Sequence, residues 1–423
     1  MRIRYAPHIL LGAVNLAVLF FLLTSQPVIH PDSASYIGKS LLRAPVYPLL
    51  LEWFENSWGP SFLKAVVAFQ VIVATAGLAA FAFSLHRFFG IGPTAAHTSF
   101  TALHVLLLKF GTSILAEPLS FGIHAFFMAA LVGHIFSGRH IFLTAAILIS
   151  GLELLIRPQF LYVFVFLFAY VVFWAISKNK KVYSLFAIGI LVVWFGVFLI
   201  RNSYNYIHFG IFNQYSAVGE HILATQLYIA SPEDYTVFEN EADSNFVRIV
   251  LERIDKDKAT IHHWDQSKSH YNKSIEKIYF LHMKPVYAEL FPTDDPNLPI
   301  TCDAHCKKIG INLMKINAVD YAKLLFSKIY FGPFNYLCML VILFILATIW
   351  HHRSKSPHAL AYLAISSLTA LNYGMLIPFA LIVNRYTVFS DSYQILFTAI
   401  CGLVALRGIT KHQNMDARAH VEA

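Results

Sequence analysis

Between His30 and Leu50 the sequence reads HPDSASYIGKSLLRAPVYPLL, in which one carboxylate, Asp32, precedes two cations, Lys39 and Arg43, and two tyrosines, Tyr36 and Tyr47. A carboxylate can take a proton from a hydroxyl, and cations can neutralise the charge that develops on a departing phosphate. In a helix running on from Ser33, Asp32, Tyr36 and Lys39 share one face by their i, i+4 and i+7 spacing, with Arg43 one turn beyond Lys39. Pro45 and Pro48 disfavour helix at the residues before them, which predicts an extended turn returning the chain to the next apolar run. The simpler role for Asp32 is to cap that helix, and capping and chemistry do not exclude each other.

Other charges sit at the ends of apolar runs: Glu117 in LAEPLSFG, Glu153 and Arg157 in GLELLIRPQF, Arg201 in FLIRNSYNYIHFGIF and Arg385 in LIVNRYTVFSDSY. Charge is costly at the centre of a bilayer, so such residues face protein, a partner or a site. With Asp32, Lys39 and Arg43 they form one polar layer at one membrane face, while the middle of the spans stays apolar. A carrier would want broken helices and polar groups near the midplane, and no such paired pattern is present. Simpler roles exist for several members. Arg157 and Arg201 could snorkel to lipid phosphates, and Glu117 followed by Pro118 suits the first turn of a helix.

The elements that must position these groups follow from composition. The 423 residues are 57% hydrophobic and only 13% charged, against roughly 25% charged in soluble domains. The net charge of +8 is scattered in twos and threes between apolar runs, with no basic stripe of the kind that binds nucleic acid. The expected fold is therefore an all-α integral membrane protein of about ten spans, at 8–25, 61–86, 94–109, 117–136, 141–156, 159–177, 182–201, 333–350, 358–383 and 391–407. The first is read as an uncleaved span, since no small-x-small site follows it. With the N-terminus in the cytoplasm, Arg87, Arg139, Lys178, Lys180, Lys181, Arg353, Lys355, Arg407 and Lys411 all fall on the cytoplasmic side, as the positive-inside rule asks.

One long polar segment, 205–320, carries most of the 24 acidic residues and is expected to be an extracytoplasmic helical insert. In DSNFVRIVLERIDKD, Phe246, Ile249, Val250 and Ile254 line one helical face behind an Asp-Ser cap, and SIEKIYFLHMKPVYAEL has the same texture. The division expected is 1–204 as an N-terminal transmembrane catalytic module with its first outer loop at 26–60, then the insert 205–320, C-terminal spans in 321–410 and a cytoplasmic tail 411–423. Cys302 and Cys306 in TCDAHC are expected to form a local disulfide in an oxidising compartment, ahead of a metal site completed by His305. The scattered histidines within spans, His97, His104 and His124 among them, are read as structural donors.

Taken in order, DSASY, RAPVYP, AEPLSF, LIRPQ, RNSYNYIHFGIF and NRYTVFSDSY resemble motifs of the GT-C superfamily of integral-membrane glycosyltransferases, in particular the branch of protein O-mannosyltransferases and lipid A aminoarabinose transferases. The resemblance implies a sugar donor carried on a polyprenyl phosphate, an inverting transfer on the extracytoplasmic face, and Asp32 as general base. It assigns Arg43, Tyr47, Glu117, Arg201 and Arg385 to the donor phosphate or the architecture around it. Tyr36, Lys39 and Arg157 join the substrate-binding set by position. Many relatives carry two acids in the first loop, and here Ser33 follows Asp32, which leaves single-base catalysis without a resident metal or other cofactor as the expectation, a divalent ion not being excluded. The implied protein is a multi-pass enzyme of a bacterial inner membrane acting on a cell-envelope glycan, glycolipid or protein, in contact with membrane lipids and not nucleic acid. Its rivals are a flippase for a lipid-linked sugar, which would share the cations and the lipid groove, and a non-catalytic membrane scaffold.

Overall fold

A computed structural model of the chain describes residues 6–178, 181–261, 271–290, 298–331, 356–376, 395–396 and 398–400. Among these the regular structure is helical, with one isolated bridge between Val28 and Ser113. The chain divides into two compact units, the first reaching Arg201 and taking in 357–371, the second beginning at Asn202.

The first unit contains α1 (Ala6–Thr24), α2 (Ser33–Ile37), α3 (Val46–Trp58), α4 (Phe62–Ser84), α5 (Pro93–Leu106), α6 (Ala116–Ser137), α7 (His140–Ile156), α8 (Leu161–Lys178) and the start of α9 (Lys181–Phe209). Among the described residues five segments are long and apolar enough to cross a membrane: Ala6–Thr24, Val46–Phe89, Ala116–Ser137, Pro158–Ser177 and Lys181–Phe209. The protein is an all-α integral membrane protein, but the ten expected spans are not all of that kind. The expected span at 94–109 is the 14-residue α5, about 21 Å long at 1.5 Å per residue, short of a hydrocarbon core of about 30 Å. The one at 141–156 is the 17-residue α7. Those at 333–350 and 391–407 fall wholly or largely outside the described residues, and 358–383 is described only as far as 376.

Helix α6 is the pillar of this unit, its buried positions running through Glu117, Ser120, His124, Met128 and His134. Its start and stop are written locally. Glu117 and Pro118 occupy the first turn, and Gly138 ends the helix with φ 66, a left-handed conformation that glycine adopts without strain. It packs on α4 through Gly122 and Gly77, at a contact so close that a Cβ on either would collide with the backbone of the other helix. That approach leaves the larger residues of both helices to pack around it.

In the second unit α10 (Val218–Ile229), α11 (Glu241–Lys256), α12 (Tyr271–Lys277), α13 (Lys284–Leu290), α14 (Leu298–Ile316) and α15 (Ala318–Phe331) enclose a core of Leu223, Leu227, Phe246, Val250, Ile254 and Ile309. The helix expected behind an Asp-Ser cap starts earlier. Asn240 caps α11 by accepting from Ala242 N and Asp243 N at 2.8 and 3.4 Å, and Asp243 pairs instead with His305 at 2.6 Å. Cys302 and Cys306 are free thiols, not the expected disulfide. Their Sγ atoms lie 3.8 Å apart in the core, and the hydrogen bond from Cys302, with burial, pushes the Cys306 thiol strongly up. The first turn of α10 is held from α14, where Asp303 Oδ1 accepts from Gly219 N and Glu220 N at 2.6 and 3.2 Å.

Glu220, 2% exposed, accepts from the hydroxyls of Tyr215 and Tyr279, both at 2.6 Å. The His221 ring packs tilted against that of Tyr279 with centroids 4.8 Å apart, and burial, reinforced by Lys284, holds its pKa down at about 4. The unfolded chain binds a proton at this residue near pH 6.5, while the folded chain does so only near pH 4, so this group makes stability fall as pH drops through that window. The thermal midpoint of the full-length protein in detergent should therefore decline from pH 6.5 to 4. His221→Asn should flatten the decline over that interval, and an unchanged slope in the variant would remove His221 as its cause.

Candidate active site

Helix α2 is five residues long, half the length expected, because the chain reverses at Lys39. Lys39 N–H donates to Tyr36 O at 3.2 Å and Ser40 N–H to Ser35 O at 2.9 Å, the paired bonds that close a helix with a left-handed residue at its end. That residue is Lys39, with φ 52, where glycine is usual. The reversal separates the groups expected on one face. Lys39 turns to α3 and pairs with Glu52, Nζ to Oε1 2.5 Å, so it does not join Asp32. Arg43 comes back in its place. Its guanidinium donates to Asp32 Oδ1 at 3.0 Å, to Ser35 Oγ at 2.7 Å and to Tyr36 OH at 3.4 Å, and lies 4.3 Å from the centroid of the Tyr36 ring. Asp32 makes no side-chain capping bond and its backbone is already helical; its carboxylate, 32% exposed, pairs with Arg43 and does not cap the helix end.

The expected extended turn is shorter than the two prolines suggested. Pro45 precedes α3, and Pro48 lies in its first turn, where a missing N–H goes unmissed. This places Tyr47, fully buried, edge-on to Tyr36 at 5.1 Å between centroids. Tyr47 donates to Gln70 Oε1 of α4 at 3.3 Å, and Gln70 Nε2 donates to the carbonyls of Gly111 and Ser113 at 2.9 and 2.8 Å. The 107–115 turn is tied in return to the first loop. Val28 N donates to Thr112 O at 2.9 Å, Ile114 N to Val28 O at 3.0 Å, and the His30 ring meets Ser113 Oγ at 3.0 Å.

Behind this loop, α6 and the end of α7 are joined by two polar rungs. Arg157 Nη1 lies 3.4 Å from Glu117 Oε1, and farther along the two helices His124 Nδ1 lies 2.8 Å from Glu153 Oε1, all four residues being buried. The Arg157 backbone N–H also donates to Glu153 O at 2.7 Å, and the His124 ring lies 5.4 Å from that of Phe160 in the turn after Arg157. Arg157 is thus an internal partner of Glu117 rather than a lipid-facing anchor. Tyr47 is within electrostatic reach of Glu117, which links the rungs to the loop.

Of the residues expected at the site, Asp32, Tyr36, Arg43 and Tyr47 form one cluster, and Glu117 and Arg157 form a pair beside it. Lys39 turns away to Glu52. Arg201 lies in α9, partly buried, and makes no ion pair among the described residues. Arg385 lies outside the described residues. Gln70, Ser35, Glu52, Ser113 and the pairing of His124 with Glu153 were not singled out from the sequence. Gln70 did leave a signal, as the lone amide in the apolar run AVVAFQVIVATAG. Among the described residues no three His, Cys, Asp or Glu side chains converge as metal ligands would.

No family model and no curated protein matches the chain. Among solved structures it is similar to the crystal structure of ArnT from Cupriavidus metallidurans bound to undecaprenyl phosphate, with 12% identity, 89% of this chain and 78% of that chain covered, and a TM-score of 0.33.

Gln70 joins three elements through a fully buried side chain. Gln70→Leu would strand the Tyr47 hydroxyl and two carbonyls, at about 1–3 kcal/mol for each buried group left unmade. Tyr47→Phe deletes one long bond, at about 1 kcal/mol. The thermal midpoint in detergent should therefore drop much further for Gln70→Leu, and equal drops would contradict its role as the joint.

Proposed function

We propose that the protein is a glycosyltransferase that moves one sugar from a polyprenyl-phosphate carrier to a hydroxyl on the extracytoplasmic side of a bacterial inner membrane. The observation that carries this reading is the contact between Asp32 and Arg43, a partly exposed carboxylate and a guanidinium on one short loop. The reaction needs both: a base for the acceptor proton and a cation for the departing phosphate. The resemblance of DSASY, RAPVYP and AEPLSF to the GT-C pattern supports the same assignment.

In this mechanism the acceptor oxygen forms a bond to the anomeric carbon as the bond from that carbon to the phosphate oxygen breaks. The electron pair leaves with the lipid phosphate, and the acceptor proton passes to the Asp32 carboxylate, so the anomeric centre inverts. Arg43 receives the developing phosphate charge, with Arg201 and Arg385 as further cations and Tyr36 orienting phosphate or sugar. Tyr47 and the Glu117–Arg157 pair keep the floor of the site in place. The apolar surface of the spans supplies the groove for the isoprenoid tail. The acceptor is a cell-envelope glycan, a glycolipid or a protein.

Asp32→Asn should cut transfer from a polyprenyl-phosphate sugar by about 10²–10⁴-fold, the usual worth of a general base, while donor binding persists. Product mass reads the first quantity and lipid binding the second. A protein that merely moves the lipid-linked sugar across the membrane would keep its activity in this variant.

A further inference from the structure

We infer that Arg43 holds Asp32 in reserve, and that the arriving lipid phosphate takes the guanidinium and so releases the carboxylate for its role as base. This rests on the glycosyltransferase reading above and adds an order of events to it.

Both cations of the first loop are paired, Arg43 with Asp32 and Lys39 with Glu52, while the loop's third acid, Glu55, is exposed. A phosphate entering such a loop meets no uncommitted cation of that set and must displace a carboxylate. The Asp32 pair is built for exchange. The Arg43 guanidinium is located by contacts that do not involve the carboxylate, the Nε bond to Ser35 Oγ at 2.7 Å and its seat 4.3 Å from the Tyr36 ring centroid. It therefore stays in place when its Nη donors change partner. One of those, Nη1, has only a 3.4 Å contact to Tyr36 OH, and the other carries the 3.0 Å bond to Asp32. A phosphate can accept from both Nη atoms at once, an arrangement the planar fork favours. The Lys39 pair is less suited, because its backbone is fixed in a left-handed turn facing α3.

A carboxylate paired with a guanidinium is a poor base, since the neighbouring cation stabilises its charged form. Once Arg43 has turned to phosphate, that stabilisation is spent on the leaving group, and Asp32 can take the acceptor proton as the sugar–phosphate bond breaks. The base is thus strengthened only when a donor is seated.

The test is a double-mutant cycle on full-length protein in nanodiscs, reading the affinity for undecaprenyl phosphate, which lacks a sugar and cannot turn over. Asp32→Asn should tighten binding about two- to fivefold, the usual range for loss of a partly exposed ion pair. Arg43→Met should weaken it, and Asp32→Asn should change nothing further in the Arg43→Met background. Arg43→Gln serves if the methionine variant does not fold. Undecaprenol should bind no differently to any variant. Inorganic phosphate, added as competitor, should displace little of the lipid if the headgroup is read together with its tail, and full displacement at matched concentration would make free phosphate the ligand and overturn the lipid trigger. An unchanged or weaker affinity in Asp32→Asn would overturn the inference. So would an equal gain in both backgrounds, which would mean simple repulsion between carboxylate and phosphate. If the wild type binds undecaprenyl phosphate and the cycle is flat, only the reserve role of Arg43 fails. If the wild type does not bind it at all, the glycosyltransferase reading fails too.

Discussion

Charge next to hydrocarbon is costly unless a neighbour neutralises it, and that cost organises one end of the first unit. Arg43 answers Asp32, Glu52 answers Lys39, Glu117 answers Arg157, and Glu153 answers His124. The pairs are not interchangeable. The two on α6 and α7 are buried and join helix to helix, so losing one partner would leave a polar group stranded in protein. The two on the first loop are partly exposed and can exchange partners with a ligand. The buried pairs thereby serve as frame and the partly exposed ones as site.

Between frame and site stands one amide. Gln70 spends both ends of its side chain on fixing Tyr47 and the 107–115 turn, and that turn fixes the first loop through Val28 and His30. The close contact of Gly77 with Gly122 brings α4 against α6, which bears Glu117. The position of Asp32 is therefore inherited through backbone hydrogen bonds rather than from the short helix that carries it.

Much of this was legible in the residue order. The apolar runs, the start of α6 at Glu117–Pro118 and its stop at Gly138, and the helical insert all follow from local rules. The nearness of Asp32, Tyr36 and Arg43 was also foreseen, though for a wrong reason. A continuous helix would have aligned Lys39 with Asp32, whereas Lys39 takes a left-handed conformation that residue type rarely adopts, and the reversal delivers Arg43 instead. No propensity announces that, because Gly38, the residue suited to such a turn, lies one position earlier. The partners of Gln70 and the match of His124 to Glu153 depend on which helices pack together, which spacing within one helix does not encode. In the second unit Asp243 was read as a cap and is a partner of His305, since Asn240 lies where α11 begins.

The central claim is that the first loop receives a lipid phosphate on Arg43. A structure of the full-length protein in nanodiscs with undecaprenyl phosphate tests it most directly. The account predicts phosphate density against both Nη atoms of Arg43, with Ser35 still bonded to Nε and Asp32 moved beyond hydrogen-bond distance of the guanidinium. Phosphate seated elsewhere with the Asp32–Arg43 pair intact would contradict it.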